Sequence, residues 1–443
     1  MKKMINAPRG TQDIYGDEAR KWQVIEETIR YIADKFNLTE MRTPEFEHTE
    51  VFARENDSSD VVNKEMYTFK DNGGRSMTLK PEGTAGLIRS YISNKLYNNP
   101  EPLQKYYYIT PVFRYERPQK GRMRIHHQFG VELIGVSSPL VDAECILIGL
   151  EFLRQFDVSD VTIYINTLGD EQSRANYRQA LKEHFKESLP ELCGDCHRRY
   201  EQNPLRILDC KVDSEHSSVL NAPKMSDYLT QEAKEYFEQV KQLLDDNHVS
   251  YVIDDKLVRG LDYYTHTVFE VKPNNLDAAQ NTLFGGGHYD HLVSDLGGPD
   301  VPSVGFGMGI ERFLLTLEEE QIELLDESSI DVYGIGLGEK AQAAMLKIIN
   351  GIRQQGYSAE MDMSNRSIKA QFKSADRHQA KVVLILGENE LEQQQINLKN
   401  QSTGKQLTVP MDELGSVLNM ELLGEQFASL LEEMELDNDE ITH

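Results

Sequence analysis

The chain has 443 residues, a formal charge of -26, 39% hydrophobic and 27% charged residues, which leaves room for two or three domains around a large core. The acidic balance excludes a generic nucleic-acid coat protein, because phosphate binding needs Lys and Arg. No apolar run approaches a membrane span and the N-terminus lacks a signal-peptide core, so a cytoplasmic protein with no membrane partner is expected. Four cysteines at this length predict reduced thiols rather than a disulfide framework.

In chain order, Pro8, Arg9, Gly10 and Thr11 form a loop, and Trp22, Ile25, Ile29, Ile32 and Phe36 recur at helical spacing over residues 17–36. Pro44 breaks the chain before a strand or helix edge at 45–52. The stretch TLKPEGTAGLIRSYI reads as a strand into Lys80, a turn at Pro81, Glu82 and Gly83, and a helix that Thr84 could cap. Residues 106–115 and 123–134 follow as two strands. Period-2 alternation puts Arg114 and Glu116 on one face of the first, and Arg124, His126, Gln128 and Glu132 on one face of the second. The loop between them holds Arg117, Pro118, Gln119, Lys120 and Gly121. Residues 105–126 carry six Lys/Arg against one Glu, a basic stretch in an acidic chain.

Beyond this hairpin, 140–156 is helical and 161–166 a strand. Residues 169–247 are helical, charged and hold three of the four cysteines, the pattern of an insertion. Strand-like sequence resumes at 249–253 and runs through KLVRGLDYYTHTVFEV. Glycine clusters then lead into VPSVGFGMGIERFLLTL, a strand entering a helix. An acidic linker at 318–328 separates a first domain, 1–325, from a small α/β domain at 328–430, and an acidic tail fills 431–443.

No G-x-x-x-x-G-K-[ST] exists, and Gly305, Gly307 and Gly309 follow G-x-G-x-G rather than the dinucleotide pattern. A nucleotide site would therefore rest on arginines, with Arg114, Arg122, Arg259 and Arg312 as candidates. Taken singly, each is more often a surface ion-pair partner.

Their combination is more specific. RTPEFEHTEVF, FRYE and GFGMGIERFL resemble motifs 1, 2 and 3 of the class II aminoacyl-tRNA synthetases, and LVRGLDYYT and GGGHYDHL resemble the two signature peptides of the histidyl-tRNA synthetase family. The resemblance covers essentially the whole chain. It implies an α+β fold: an antiparallel class II sheet with flanking helices, a helical insertion, and a C-terminal α/β anticodon-binding domain. It implies ATP-dependent activation of L-histidine to histidyl-adenylate, with Mg2+ on the ATP, transfer to tRNA(His), and a homodimer joined through motif 1.

Residue by residue, the resemblance implies that Arg114 and Arg312 hold ATP phosphates, Glu116 reads the adenine edge, Arg122 lies in a mobile loop, and Arg259 approaches the reacting carboxylate and α-phosphate. Glu82, Thr84 and Gln128 would hold the amino-acid end of histidine, Glu132 and Tyr264 its imidazole, with Tyr263 and Tyr289 lining the pocket. The basic loop with Arg117 and Gln119 would meet the acceptor stem. The chain departs from the family pattern at His126, where the family has an adenine-stacking Phe, at His288, where it has Arg, and at His291, where it has Gly. A second reading is a catalytically silent, histidine-sensing regulatory paralogue of the ATP phosphoribosyltransferase type, which typically lacks the C-terminal domain.

Cys193, Cys196 and Cys210 with His197 make half of a zinc ribbon. Reduced, partly buried thiols without a structural metal are the expectation, and Cys145 reads as core. Arg366, Lys369, Lys373, Arg377 and Lys381 recur at three or four residues, opposite Ile368, Phe372 and Ala375. Such a stripe is commonly solvated; against the acidic background, contact with tRNA phosphates is favoured.

Overall fold

Period-2 alternation extends from the charged hairpin across a whole sheet. The computed structural model describes residues 4–53, 61–258, 263–274, 282–325, 329–364 and 366–422. Its strands are β1 Thr39–Glu40, β2 Phe46–His48, β3 Tyr67–Lys70, β4 Ser76–Leu79, β5 Gln104–Phe113, β6 Ile125–Ile134, β7 Val161–Thr167, β8 Val252–Ile253, β9 Thr265–Pro273, β10 Phe284–Tyr289, β11 Ser303–Gly309, β12 Val332–Gly336, β13 Ala359–Met361, β14 Val382–Leu386, β15 Gln395–Asn400 and β16 Gln406–Pro410. Eight of these form one sheet in the order β1-β5-β6-β11-β10-β9-β7-β8, antiparallel except at its two edges.

The hairpin strands are shorter at their open ends than alternation predicts. Tyr115 turns its N–H to the Glu65 carbonyl at 2.7 Å, and Arg124 donates its N–H to Gly10 at 2.8 Å. Arg114 still donates its N–H to the Arg124 carbonyl at 2.9 Å, but the diverted N–H groups of Tyr115 and Arg124 end the regular ladder at Phe113 and Ile125.

One sheet face is apolar. Phe129, Val131 and Leu133 of β6 and Val304, Phe306 and Met308 of β11 pack against the helix Pro139–Arg154, where Cys145, Ile148 and Phe152 are fully buried. The helix Asp17–Lys35 adds Trp22, Ile25, Ile29 and Ile32 to this core. So does the helix Gln231–Asp246, through Phe237, Val240 and Leu244. The last helix of the 169–247 stretch thus packs with the main core.

The chain divides into two compact units, Met1–Leu324 and Leu325–His443. In the second, β12 lies between β13 and β14, parallel to both, and β15 and β16 continue antiparallel. Its helix Ile368–Arg377 buries Gln371, Ser374 and Ala375, whereas Ile368, expected on the buried side, is 44% exposed. The acidic tail at 431–443 lies outside the described residues.

Candidate active site

The other sheet face is polar and its middle is nearly bare of side chains. Strand register puts Tyr106, Tyr108 and Thr110 of β5 opposite Glu132, Gly130 and Gln128 of β6. Those three in turn pair with Gly305, Gly307 and Gly309 of β11. Gly287 and Gly285 of β10 continue the row. The glycines are spaces that other groups occupy: the ring of Tyr108 lies 2.2 and 2.1 Å from where a Cβ would stand at Gly83 and Gly130. Tyr108 was not among the expected site residues, and these two glycines were the available signal.

At one end lies a buried polar lobe. Glu132 is 1% exposed and accepts a hydrogen bond on each oxygen, from Thr84 Oγ1 at 2.6 Å and from the Tyr289 hydroxyl at 2.5 Å. Burial, with the nearby Glu82 charge, pushes its pKa up to about 8 against the effect of these two bonds. The rings of Tyr263 and Tyr264 stand 4.7 Å apart, and Tyr263 is 5.3 Å from Tyr289. Glu82 caps the helix Thr84–Ser93, its carboxylate accepting the N–H of Thr84 and of Ala85 at 2.9 Å each. The expectation that Thr84 caps this helix is corrected: Glu82 caps it, and the Thr84 hydroxyl turns to Glu132.

The lobe adjoins an open cleft of about 520 Å³ lined by Arg114, His126, Gln128, Glu270, Lys272 and Arg312 among others. Arg114 is anchored through Nε to the Pro81 carbonyl at 2.8 Å, and Arg312 through Nη1 to the Thr282 carbonyl at 2.6 Å. Burial and these two guanidiniums hold the His126 imidazole well below its ordinary pKa, so it is a neutral flat ring at pH 7. Next to it, His127 is fixed by Glu311, which accepts the His127 N–H and contacts its Nδ1 at 2.9 Å.

The loop above is a miniature hairpin of its own, closed by reciprocal backbone bonds between Gln119 and Arg122. Arg117 and Gln119 are exposed. Glu116 is buried and ion-paired with Arg122, which also reaches Glu65 at 3.3 Å. Both proposed nucleotide readers therefore hold each other. Glu65 was not anticipated, since its partner lies 57 residues away.

His288 is fully buried between two carboxylates, Nδ1 at 2.8 Å from Asp142 and Nε2 at 3.1 Å from Asp290. Burial lowers its pKa, but Asp142 and Asp290 outweigh that and raise it to about 10. The same contact depresses the Asp290 carboxyl against the opposing effect of burial. An imidazolium thus supplies the positive charge that Arg has in the family pattern. Exposed His291 stands 3.8 Å from Asp300.

The family model described as histidyl-tRNA synthetase matches residues 10–313, and that of an anticodon binding domain matches 331–421. The chain belongs to the histidyl-tRNA synthetase family. In sequence, this family member is 50% identical over 406 residues to a histidine–tRNA ligase of Geobacillus sp. (strain WCH70), covering 91% of this chain and 96% of that one. The Bacillus subtilis (strain 168) histidine–tRNA ligase is 48% identical over 415 residues, covering 93% and 98%. The crystal structure of apo S. aureus histidyl-tRNA synthetase superposes with a TM-score of 0.81 at 42% identity, covering 94% of this chain and all of that one. A Bacillus halodurans C structure described as an ATP phosphoribosyltransferase regulatory subunit/histidyl-tRNA synthetase shares the fold at 20% identity and a TM-score of 0.60.

For this histidyl-tRNA synthetase family member the class II antiparallel sheet and the C-terminal anticodon-binding domain stand as read from the sequence. Arg259, the candidate cation of the first signature peptide, lies outside the described residues. In the second unit, Lys369, Lys373 and Arg377 are exposed along the helix Ile368–Arg377. Arg366, just before it, pairs with Asp362 and donates to Ser374 at 3.2 Å.

Proposed function

We propose that the chain charges tRNA(His) with L-histidine in two steps, adenylate formation from ATP and transfer to the tRNA terminal hydroxyl. The observation that carries this reading is the juxtaposition of the Glu132 lobe with the arginine cleft. Glu132, held by Thr84 and Tyr289, offers one nitrogen of an imidazole a carboxyl partner, and the Tyr264 phenol is the proposed partner of the other, which meets the one donor and one acceptor that an imidazole has. A site built to hydrogen-bond both nitrogens rejects an analogue lacking one by roughly 10⁴ or more.

The substrate roles follow from chemistry. Glu82, oriented by its helix N-terminus, is a carboxylate suited to the histidine ammonium. Thr84 and Gln128 complete the amino-acid end, Glu132 and Tyr264 read the imidazole, and Tyr263 and Tyr289 wall the ring. Attack of the histidine carboxylate on the α-phosphorus brings two anions together, and Arg114 and Arg312, preset by their carbonyl anchors, stabilise that charge. Arg259 is the proposed third cation at the reacting atoms. His126 offers the adenine a neutral face, and Glu116 its edge once ATP exchanges with the Arg122 pair. Mg2+ bound with the ATP would offset phosphate charge. Glu270, bonded to Lys272 at 2.9 Å and Thr282 at 3.2 Å, is the cleft carboxylate suited to it.

Arg117 and Gln119 on the exposed hairpin tip are proposed to meet the acceptor stem, and Arg366, Lys369, Lys373 and Arg377 the anticodon arm. The working form is proposed as a cytoplasmic homodimer. The test is histidine-dependent exchange of pyrophosphate into ATP. Exchange with histidine and not with other amino acids is expected; no exchange in a folded sample refutes the reading. The regulatory alternative is disfavoured by the C-terminal domain match.

A further inference from the structure

The reaction leaves one cluster of ligating side chains unused. Cys193, Cys196, Cys210 and Asp213 each point one ligand atom at a common centre, all four atoms lying within 4.8 Å of one another. Two short turns build it. Cys193 and Cys196 bracket the first residues of the helix Gly194–Gln202. Cys210 and Asp213 repeat the same two-residue spacing in the loop beyond. His197, the fourth ligand suggested by sequence spacing, is exposed, and Asp213 takes its place because the loop, not the helix, closes the cluster.

Two of the distances match the spacing a tetrahedral zinc ion imposes. A tetrahedral zinc ion with Zn–S of ~2.3 Å and Zn–O of ~2.1 Å separates two sulfurs by about 3.8 Å and a sulfur from an oxygen by about 3.6 Å. Cys193 Sγ and Cys210 Sγ stand 3.7 Å apart, and Cys210 Sγ and Asp213 Oδ2 3.5 Å apart. Asp213 is further oriented by the Cys193 N–H at 3.0 Å, the outer hydrogen bond that metal-binding carboxylates commonly have. Cys196 and Cys210 are buried.

The cluster also stands behind the cleft wall. Cys210 lies between Asp209 and Lys211, both of which line the 520 Å³ cleft. Asp195, next to Cys196, binds Lys64 at 3.2 Å, and the neighbouring Glu65 binds Arg122.

We propose that Cys193, Cys196, Cys210 and Asp213 bind one zinc ion per chain, and that this ion fixes the 208–211 wall of the cleft. Binding releases the three thiol protons to solvent, with no change of oxidation state. The zinc site stands independently of the proposed reaction; its effect on the wall rests on the reading of the cleft as the ATP site.

The test begins with metal content of the full chain purified without chelator, where about one zinc per chain is expected. The ion is then removed and Co2+ alone is titrated back, with thiolate-to-cobalt charge-transfer absorption and a tetrahedral d–d spectrum as the expected signature. Cys193→Ser and Asp213→Asn should each weaken Co2+ binding by on the order of 10–100-fold or more, while His197→Ala leaves it unchanged. Cys193 is partly exposed, so its variant tests binding without emptying the core; circular dichroism checks that each variant is folded. Absent zinc together with no thiolate–cobalt spectrum overturns the site, as does a Cys193–Cys210 disulfide in protein purified under reducing conditions. For the wall, metal removal should raise the KM for ATP more than that for histidine in pyrophosphate exchange. Equal KM values in folded metal-free and zinc-loaded protein overturn that half alone.

Discussion

The Glu132 carboxyl occupies the space that a side chain at Gly305 would need: a Cβ there would stand 1.9 Å from Glu132 Oε2 and 2.5 Å from the Val131 carbonyl. The glycine of the third motif thus makes room for the Glu132 carboxyl on the neighbouring strand. Gly305→Ala should displace Glu132 and lower kcat/KM for histidine by about 10² or more. The KM for ATP should change far less, because Arg114 and Arg312 are anchored elsewhere. Pyrophosphate exchange at varied histidine and ATP, with thermal unfolding as a fold check, decides it.

Histidine binding should have a bell-shaped pH dependence. In the empty site Glu132 carries a proton up to about pH 8, and free histidine's imidazole is neutral above roughly 6.5. Between these values the bound pair contains the same protons as the free partners. Below about 6.5 a proton must be released on binding, and above about 8 one must be taken up, so 1/KM should fall on both sides. Glu132→Gln should remove the alkaline limb; an unchanged limb in that variant assigns it to another group.

Stability should carry the signature of the buried His288 imidazolium. Its folded pKa, about 10, exceeds the unfolded value near 6.5. The stabilisation is therefore fully present below about pH 6.5 and is lost as pH rises through 10. His288→Gln leaves Asp142 buried without a counter-charge and should cost roughly 3–5 kcal/mol at pH 7. Denaturant unfolding of both proteins from pH 6 to 10 should show the difference shrinking with rising pH; a constant difference contradicts the imidazolium assignment.

Arg114→Ala should reduce the rate of adenylate formation by about 10²–10³. Single-turnover measurement of adenylate separates this from product release. A change confined to the KM for ATP would make Arg114 a binding group only.

Lys369→Glu with Lys373→Glu should raise the KM for tRNA(His) and lower the dependence of log affinity on log salt by about 1 for each phosphate that is no longer neutralised. Pyrophosphate exchange, which needs no tRNA, should be unaffected. Equal salt slopes would return the stripe to a solvated face.

By itself the sequence determined the elements and the family. Period-2 alternation put His126, Gln128 and Glu132 on one face of β6, and helical spacing marked Trp22, Ile25, Ile29 and Ile32 as core, because side-chain direction along one element depends only on local geometry. Contacts between distant segments were decided only by tertiary structure. Asp142 meets His288 across 146 residues, Thr84 meets Glu132 across 48, and Asp213 rather than His197 joins the cysteines. Each pairing depends on how elements distant in sequence pack together, which no local pattern encodes. That is why the histidine at 288 reads from sequence only as a departure from the family's Arg, whereas the two carboxylates brought beside it favour its charged form.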